Sequence, residues 1–127
     1  MNIDQTPNIH SDEEYRTCRS DTSAWRTVIN AVFDHHNING DISNISAGFN
    51  STYPVFLVDS YVIKFFGYRN NANETYLNEI EAHRCLSKDN LIQTPTVIAS
   101  GELSAATGKP WSYMISSKLP GKSWLDR

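Results

Sequence analysis

One lysine interrupts an apolar stretch of the chain that runs from Tyr61 to Phe66. Aromatic and β-branched residues dominate this stretch, so it is predicted to form a strand. Side chains alternate across a strand, and Val62 and Lys64 are therefore expected on the same face. An apolar surface beside an ammonium group suits a nucleotide, whose base packs on the first and whose α- and β-phosphates pair with the second. The alternative is a lysine that extends to solvent at the edge of the strand.

A glutamate on the next predicted helix, residues 73–88, is the expected partner of that lysine. Glu79 shares a helical face with the apolar Leu86, two turns later. Glu81 is rotated by about 200° from Glu79 and is expected to face solvent. The Glu79 carboxylate can then orient the ammonium through a charge-assisted hydrogen bond. Glu74 and Glu81 are the rival candidates, and a solvated helix surface is the alternative for each of the three.

A turn rich in small residues, 48–52, precedes the lysine strand. Backbone amides in such a turn can point at phosphate oxygens. The spacing from Gly48 through Asn50 and Tyr53 to Val55 falls on the G-x-G-x-x-G-x-V frame of a phosphate-covering loop, of which it keeps the first glycine and the valine. The alternative is an ordinary β-turn.

One helix is predicted ahead of the strands, after a polar N-terminal segment at residues 1–20. Its apolar residues recur at the spacing of a single helical face, and they are Trp25, Val28, Ile29, Val32 and Phe33. Asp21 or Thr22 is expected to cap the N-terminus of this helix. The segment 37–41, which contains Gly40, is expected to end it.

Five strands and a second helix are expected to follow. The predicted bounds are Ser43–Ala47, Tyr53–Val58 and Tyr61–Phe66 for three strands, Asn73–Lys88 for the helix, and Thr96–Ile98 and Trp111–Ser116 for two further strands. Only Asp59 and Ser60 separate the second and third strands, which predicts a tight hairpin. Leu77 and Ile80 are available to pack the helix on the strands. The expected fold is therefore α+β, with a five-stranded antiparallel sheet, a packed helix and an extra N-terminal helix.

Composition and charge restrict the classes of function. The 127 residues make one domain or part of one. A net charge of −3 argues against a broad nucleic-acid footprint. No apolar run is long enough to span a membrane, and the N-terminus does not resemble a secretory signal. Cys18 and Cys85 have neither metal nor redox spacing, so we expect reduced thiols and a cytoplasmic protein.

The stretch from Gly48 to Trp124 resembles aminoglycoside phosphotransferases, which have the protein-kinase-like fold, and most closely the hygromycin B phosphotransferases. The resemblance covers more than half of the chain. The matching segments are Ser51-Thr52-Tyr53-Pro54-Val55, Val62-Ile63-Lys64-Phe65-Phe66-Gly67, residues 74–82 (ETYLNEIEA), Gly101-Glu102-Leu103, Trp111-Ser112-Tyr113-Met114-Ile115 and Pro120-Gly121-Lys122-Ser123-Trp124. Residues 41–127 would then be the nucleotide-binding lobe, ending at the hinge, with residues 21–40 as a helix ahead of it.

The resemblance implies phosphoryl transfer from ATP or GTP to a hydroxyl of an aminoglycoside-like molecule such as hygromycin B. Carried over by position, Lys64 holds the α- and β-phosphates and Glu79 orients it. The residues implied to cover the phosphates are Gly48, Asn50, Ser51 and Thr52. Those implied to contact the base are Val55 and Val62, together with the hinge backbone of Ser117 and Leu119.

Two departures from the family pattern bear on activity. The phosphate turn has few glycines, and the sequence stops at the hinge. In the family, the catalytic aspartate and the Mg²⁺ ligands follow the hinge in a larger helical lobe. We therefore expect no catalytic residue and no metal ligand in this chain, and no activity from it alone.

Other functions stay open at this point. One is a non-catalytic nucleotide-binding or regulatory remnant. Another is a lobe of a kinase for a different small hydroxylated substrate, such as choline, homoserine or a sugar.

Overall fold

The computed structural model describes residues 6–7, 9, 11–40, 42–48, 53–68, 71–86, 96–103 and 110–117. No helix in this described part is long and apolar enough to cross a membrane. The elements, in chain order, are α1 (Asp12–Cys18), α2 (Thr22–His35), a 3-10 turn (Ile42–Asn44), β1 (Ile45–Ala47), β2 (Val55–Val58), β3 (Tyr61–Phe66), α3 (Ala72–Leu86), β4 (Val97–Leu103) and β5 (Trp111–Ser117).

The five strands form one sheet in the order β1-β2-β3-β5-β4, and every neighbouring pair is antiparallel. The expected α+β class and five-stranded antiparallel sheet are therefore confirmed. The β2–β3 hairpin closes through Asp59 and Ser60, and Asp59 has a φ of 58°. Aspartate visits the left-handed region more readily than most residues, so Asp59 takes the place of the glycine that such hairpins prefer.

Helices cover both faces of the sheet. On β3, Ile63 and Phe65 belong to the core cluster that includes α1 and α2. Phe66 points the other way and belongs to a smaller cluster with α3. The central strand β3 therefore has apolar packing on both faces, and any charged side chain on it is held between the sheet and a helix.

The apolar face of α2 packs on the sheet as predicted, and all five of its residues are buried: Trp25, Val28, Ile29, Val32 and Phe33. Asp21 caps the helix, since its side chain accepts hydrogen bonds from the amides of Ser23 and Ala24 at 3.0 and 3.3 Å. The helix ends at its predicted position, but Asn37 (φ 56°), rather than Gly40, takes the left-handed conformation. The Ile38 amide donates to the Phe33 carbonyl at 2.9 Å, which completes a Schellman ending.

The short helix α1 lies within residues 1–20, for which the sequence predicts only a polar segment. Ser11 caps it by accepting a hydrogen bond from the Glu14 amide at 3.1 Å. Acidic residues fill its first turn, where they interact favourably with the helix dipole. Its one buried residue is Tyr15, which is 1% exposed. The helix therefore depends on a single apolar anchor.

Strand β4 is longer than the predicted Thr96–Ile98. Ser100 and Gly101 are weak strand formers, so the apolar pattern stops early, but pairing with β5 continues through both residues. Gly101 suits this position because a Cβ atom there would lie 2.6 Å from the Tyr113 hydroxyl oxygen.

Candidate functional site

The sheet register defines the side chains that surround Lys64. Its direct antiparallel partners are Val55 on β2 and Met114 on β5. Directly opposite residues in antiparallel strands project to the same face, and Val62 joins them through strand alternation. An apolar surface therefore lies beside the lysine as predicted, and Met114 is a member that the sequence did not indicate.

Lys64 and Glu79 form an ion pair between β3 and α3. The Lys64 Nζ atom lies 2.5 Å from Glu79 Oε1. The two side chains are 16% and 30% exposed. This is a short, charge-assisted hydrogen bond, and its partial burial protects it from the screening that weakens surface pairs. The structure thus brings together the two side chains that the sequence pattern paired.

An aromatic ring lies next to the same ammonium group. The Lys64 Nζ atom is 5.1 Å from the centroid of the Phe66 ring, within the range of a cation–π interaction. Phe66 follows Lys64 by two residues on the same strand, so its position on this face could have been read from strand alternation. The ammonium therefore has one carboxylate and one aromatic face as neighbours within the described part of the chain.

The first half of α3 determines where Glu79 lies. A buried cluster beneath the helix consists of Tyr53, Phe66, Ala72 and Met114, and Tyr76 and Ile80 pack partly against it. The rings of Phe66 and Tyr76 meet edge to face with centroids 5.4 Å apart. Residues three and four apart share a helical face, so Glu79, three residues after Tyr76, is directed toward the sheet.

Several other charged and apolar groups of α3 face solvent. Glu81 pairs with Arg84 on the helix surface, with an Nε–Oε2 distance of 2.6 Å, and both side chains are more than half exposed. Glu74 is exposed as well. Leu77, expected to pack on the strands, is 55% exposed. The packing face of α3 is therefore rotated from Leu77 toward Tyr76.

The predicted phosphate turn is described only at its first residue. The amide of Gly48 donates to the Val55 carbonyl at 2.7 Å, so it extends the pairing of β1 with β2. This amide is therefore already paired with the backbone of the neighbouring strand. The other three predicted residues of the turn, Asn50, Ser51 and Thr52, lie outside the described residues.

The residues predicted to contact the base are described in part. Val55 and Val62 are 5% and 1% exposed, so a base can reach them only if the atoms that cover them move aside. At the end of β5, the Ser117 amide donates to the Thr96 carbonyl at 2.9 Å. The Ser117 hydroxyl oxygen accepts from the Thr96 amide at 3.0 Å. Leu119 lies outside the described residues.

On the opposite face of the sheet, a polar contact joins the end of α2 to β5. His36 Nε2 and the Tyr113 hydroxyl oxygen are 2.6 Å apart. Burial lowers the pKa of His36, and the neighbouring His35 lowers it further. Burial also raises the pKa of Tyr113. These shifts favour the neutral imidazole and the neutral phenol, and the tautomer of the ring sets which of the two groups donates.

The described residues offer two further observations on binding chemistry. No three His, Cys, Asp or Glu side chains among them come together as a metal site. A pocket of about 460 Å³ lies beside α1 and the start of α2, far along the chain from Lys64. Its lining is mainly acidic and hydroxyl-bearing: Ser11, Glu13, Glu14, Thr17, Cys18 and Asp21.

Comparisons with known proteins assign no family to this chain. A scan against protein-family models gives no match, and a search of curated proteins gives none either. The function is therefore argued from the residues themselves and from the geometry around Lys64.

Proposed function

We propose that this chain is the nucleotide-binding lobe of a phosphotransferase with a protein-kinase-like fold. The lobe binds ATP or GTP, and Lys64 pairs with the α- and β-phosphates. The observation that carries this proposal is the ion pair of Lys64 with Glu79, 2.5 Å long and partly buried between β3 and α3.

Three features of this pair favour phosphate binding over a purely structural role. A partly buried ion pair contributes little net stability, since desolvation offsets most of the attraction. The side chain of Lys64 keeps 16% of its surface exposed, which leaves part of it accessible to an anion. A carboxylate that holds the ammonium in place reduces the entropy lost when a phosphate binds.

The acceptor proposed for the whole enzyme is a hydroxyl group of an aminoglycoside-like molecule. This part of the proposal is supported by the sequence resemblance, above all by the segments around Lys64 and Gly101. Mg²⁺ would bridge the nucleotide phosphates during transfer. The carboxylates that would hold it are expected beyond the hinge, so no step at the metal is assigned to residues of this chain.

Two observations favour a second function, a remnant that no longer binds nucleotide. Val55 and Val62 are almost completely buried, and the Gly48 amide is already paired with Val55. In such a remnant the ion pair would serve packing alone.

Nucleotide titration followed by NMR distinguishes these functions. The methyl signals of Val55 and Val62 report contact with the base. The signals of residues next to Lys64 report contact with the phosphates. ATP, ADP, AMP, adenosine and inorganic triphosphate are titrated separately, at constant ionic strength and with Mg²⁺ present.

The proposed function predicts saturable shifts at both groups of signals. Affinity should be similar for ATP and ADP, lower for AMP and lowest for adenosine, because Lys64 binds the α- and β-phosphates. Shifts that do not saturate, or that are equal for ATP and inorganic triphosphate at sites remote from Lys64, would support the remnant instead.

A further inference from the structure

The N-terminal helix α1 contacts the chain at the point where it leaves β3. The hydroxyl of Tyr68 donates to Asp12 Oδ1 at 2.6 Å. The ring of Tyr68 stacks on that of Tyr15, with centroids 4.7 Å apart and an interplanar angle of 12°. Asp12 and Tyr15 are three residues apart and share one face of α1. One exposed tyrosine is thus bound to a helix through both its ring and its hydroxyl group.

The backbone around Tyr68 is restricted as well. Tyr68 has a φ of 68°, a conformation that a bulky residue keeps only when its surroundings hold it there. Gly67 packs against Trp111 so closely that a Cβ atom would lie 2.1 Å from the indole ring. Trp111 in turn lies against Tyr15, with ring centroids 6.3 Å apart. The position of this segment therefore depends on α1.

This segment leads directly into the helix that carries Glu79. Only Arg69 and Asn70 separate Tyr68 from Asn71 in the sequence, and three residues span at most about 11 Å. Asn71 begins α3, because its carbonyl accepts hydrogen bonds from the amide and the hydroxyl of Thr75, both at 3.0 Å. Fixing Tyr68 therefore limits where α3 can start.

The packing of α3 on the sheet is limited in extent, so a restraint at the start of the helix adds to it. Among its described side chains only Ala72 is buried. Tyr76 and Ile80 are partly buried, and Leu77 is exposed. Glu79 lies at least seven residues beyond the start of the helix, so a small rotation there moves its carboxylate away from Lys64.

We propose that Asp12, Tyr15 and Tyr68 are positioning residues for the Lys64–Glu79 pair. Docking of α1 on Tyr68 sets the start of α3, and the start of α3 sets the distance between carboxylate and ammonium. Release of α1 therefore uncouples the pair without changing either of its members. The inference rests on the proposed function for what the pair binds, but the positioning itself is measured without nucleotide.

A double-mutant cycle measures the coupling between the two side chains. Lys64→Met, Glu79→Gln and the double variant are unfolded with urea in three backgrounds: wild type, Tyr68→Phe and Tyr68→Gly. Glycine keeps the positive φ without strain but loses both contacts with α1, whereas phenylalanine keeps the ring stack. A general loss of stability would lower the free energy of unfolding of all four proteins in a cycle equally, and the coupling would stay unchanged.

In the wild type we expect a coupling of about fivefold in the unfolding equilibrium constant. Most of it should remain in Tyr68→Phe, and it should be lost in Tyr68→Gly. The matched control is the Glu81–Arg84 pair, whose coupling should be the same in all three backgrounds because it lies within one helix. Equal Lys64–Glu79 coupling in the wild type and Tyr68→Gly overturns the proposal.

A second variant covers the case in which Tyr68→Gly does not fold. Asp12→Ala removes both the hydrogen bond to the Tyr68 hydroxyl and one acidic residue from the first turn of α1. We therefore expect a coupling between those of Tyr68→Phe and Tyr68→Gly. A coupling in Asp12→Ala equal to that of the wild type then overturns the proposal. Because no cycle contains nucleotide, failure of the positioning inference and failure of nucleotide binding are separate results.

Discussion

Replacing Trp25 with alanine should strongly destabilise the protein, because this residue joins α2 to the sheet. The side chain is completely buried. Its ring stacks on Phe65 with centroids 4.4 Å apart. Its indole N–H donates to the Cys18 carbonyl at 3.1 Å, which also ties the end of α1 to α2. Truncation would leave a cavity beneath α2 and remove one of two hydrogen bonds to the Cys18 carbonyl, which also accepts from the Asp21 amide at 3.0 Å.

The expected loss follows from this burial. Replacing a fully buried tryptophan with alanine costs about 3–5 kcal/mol. Because domains of this kind are stable by only about 5–15 kcal/mol, Trp25→Ala should lose a large part of the free energy of unfolding. Trp25→Phe keeps an aromatic ring against Phe65 and loses the hydrogen bond, so it should cost about 1–2 kcal/mol.

Urea unfolding followed by far-ultraviolet circular dichroism gives these free energies without relying on tryptophan emission. Leu77→Ala is the control, since Leu77 is 55% exposed on α3 and its truncation should change stability by less than about 0.5 kcal/mol. If Trp25→Ala unfolds at the same urea concentration as the wild type, α2 is not packed on the sheet and the described core is wrong.

Three further predictions concern β4, pH and catalysis. Gly101→Ala should lower the free energy of unfolding, measured with urea, by about 1–3 kcal/mol, because the added methyl group meets the Tyr113 hydroxyl. Ser100→Ala should change this free energy little. Burial holds the pKa of His36 below its ordinary 6.5, so the unfolded state binds more protons than the folded state below that pH. The free energy of unfolding should therefore fall on acidification below 6.5. His36→Gln should reduce this fall, and an unchanged fall would contradict the assignment of the lowered pKa to His36. When the chain is incubated with ATP or GTP, Mg²⁺ and hygromycin B, mass spectrometry should detect no phosphorylated product. Turnover that survives repurification would mean that this chain contains catalytic groups, contrary to the expectation from its sequence.

The spacing of apolar residues along the strand and the helix was enough to predict the ion pair. Lys64 stands in an apolar, β-branched run, and Glu79 falls on the inner face of the following helix. Both inferences depend on local periodicity, which strongly apolar elements preserve. The same reasoning misplaced Leu77, because α3 has a weak apolar face and its rotation is set by Tyr76 meeting Phe66. Contacts between distant elements leave no periodic signal in the sequence.

Helix α1 is a second feature that could not be predicted fully from the sequence. It has seven residues and one buried side chain, Tyr15, so no apolar repeat marks it. Its capping signal, Ser11 followed by three acidic residues, was present in the sequence. The contacts of Tyr15, however, are with residues far away in the sequence, among them Tyr68, 53 positions later. A contact of that range could not be inferred from local pattern.

The predicted base-binding surface is a third feature that the sequence predicted only in part. Strand alternation correctly groups Val62 with Lys64 on one face, and the sheet register adds Val55 to it, but alternation says nothing about how far that face is covered. The structure shows both valines buried. A nucleotide that binds as proposed must therefore open this face, and replacement of Lys64 tests its binding most directly.

The most direct test of the central claim is the affinity of the chain for ATP before and after Lys64→Met. NMR titration suits this measurement, because it detects the weak binding expected of a single lobe. Arg84→Met is the matched control, since it removes a cation from the exposed side of α3. We predict that Lys64→Met lowers ATP affinity by about tenfold or more, as expected for loss of a charge-assisted contact, and that Arg84→Met leaves it unchanged. Equal affinity in the wild type and Lys64→Met would contradict the assignment of Lys64 as the phosphate-binding residue.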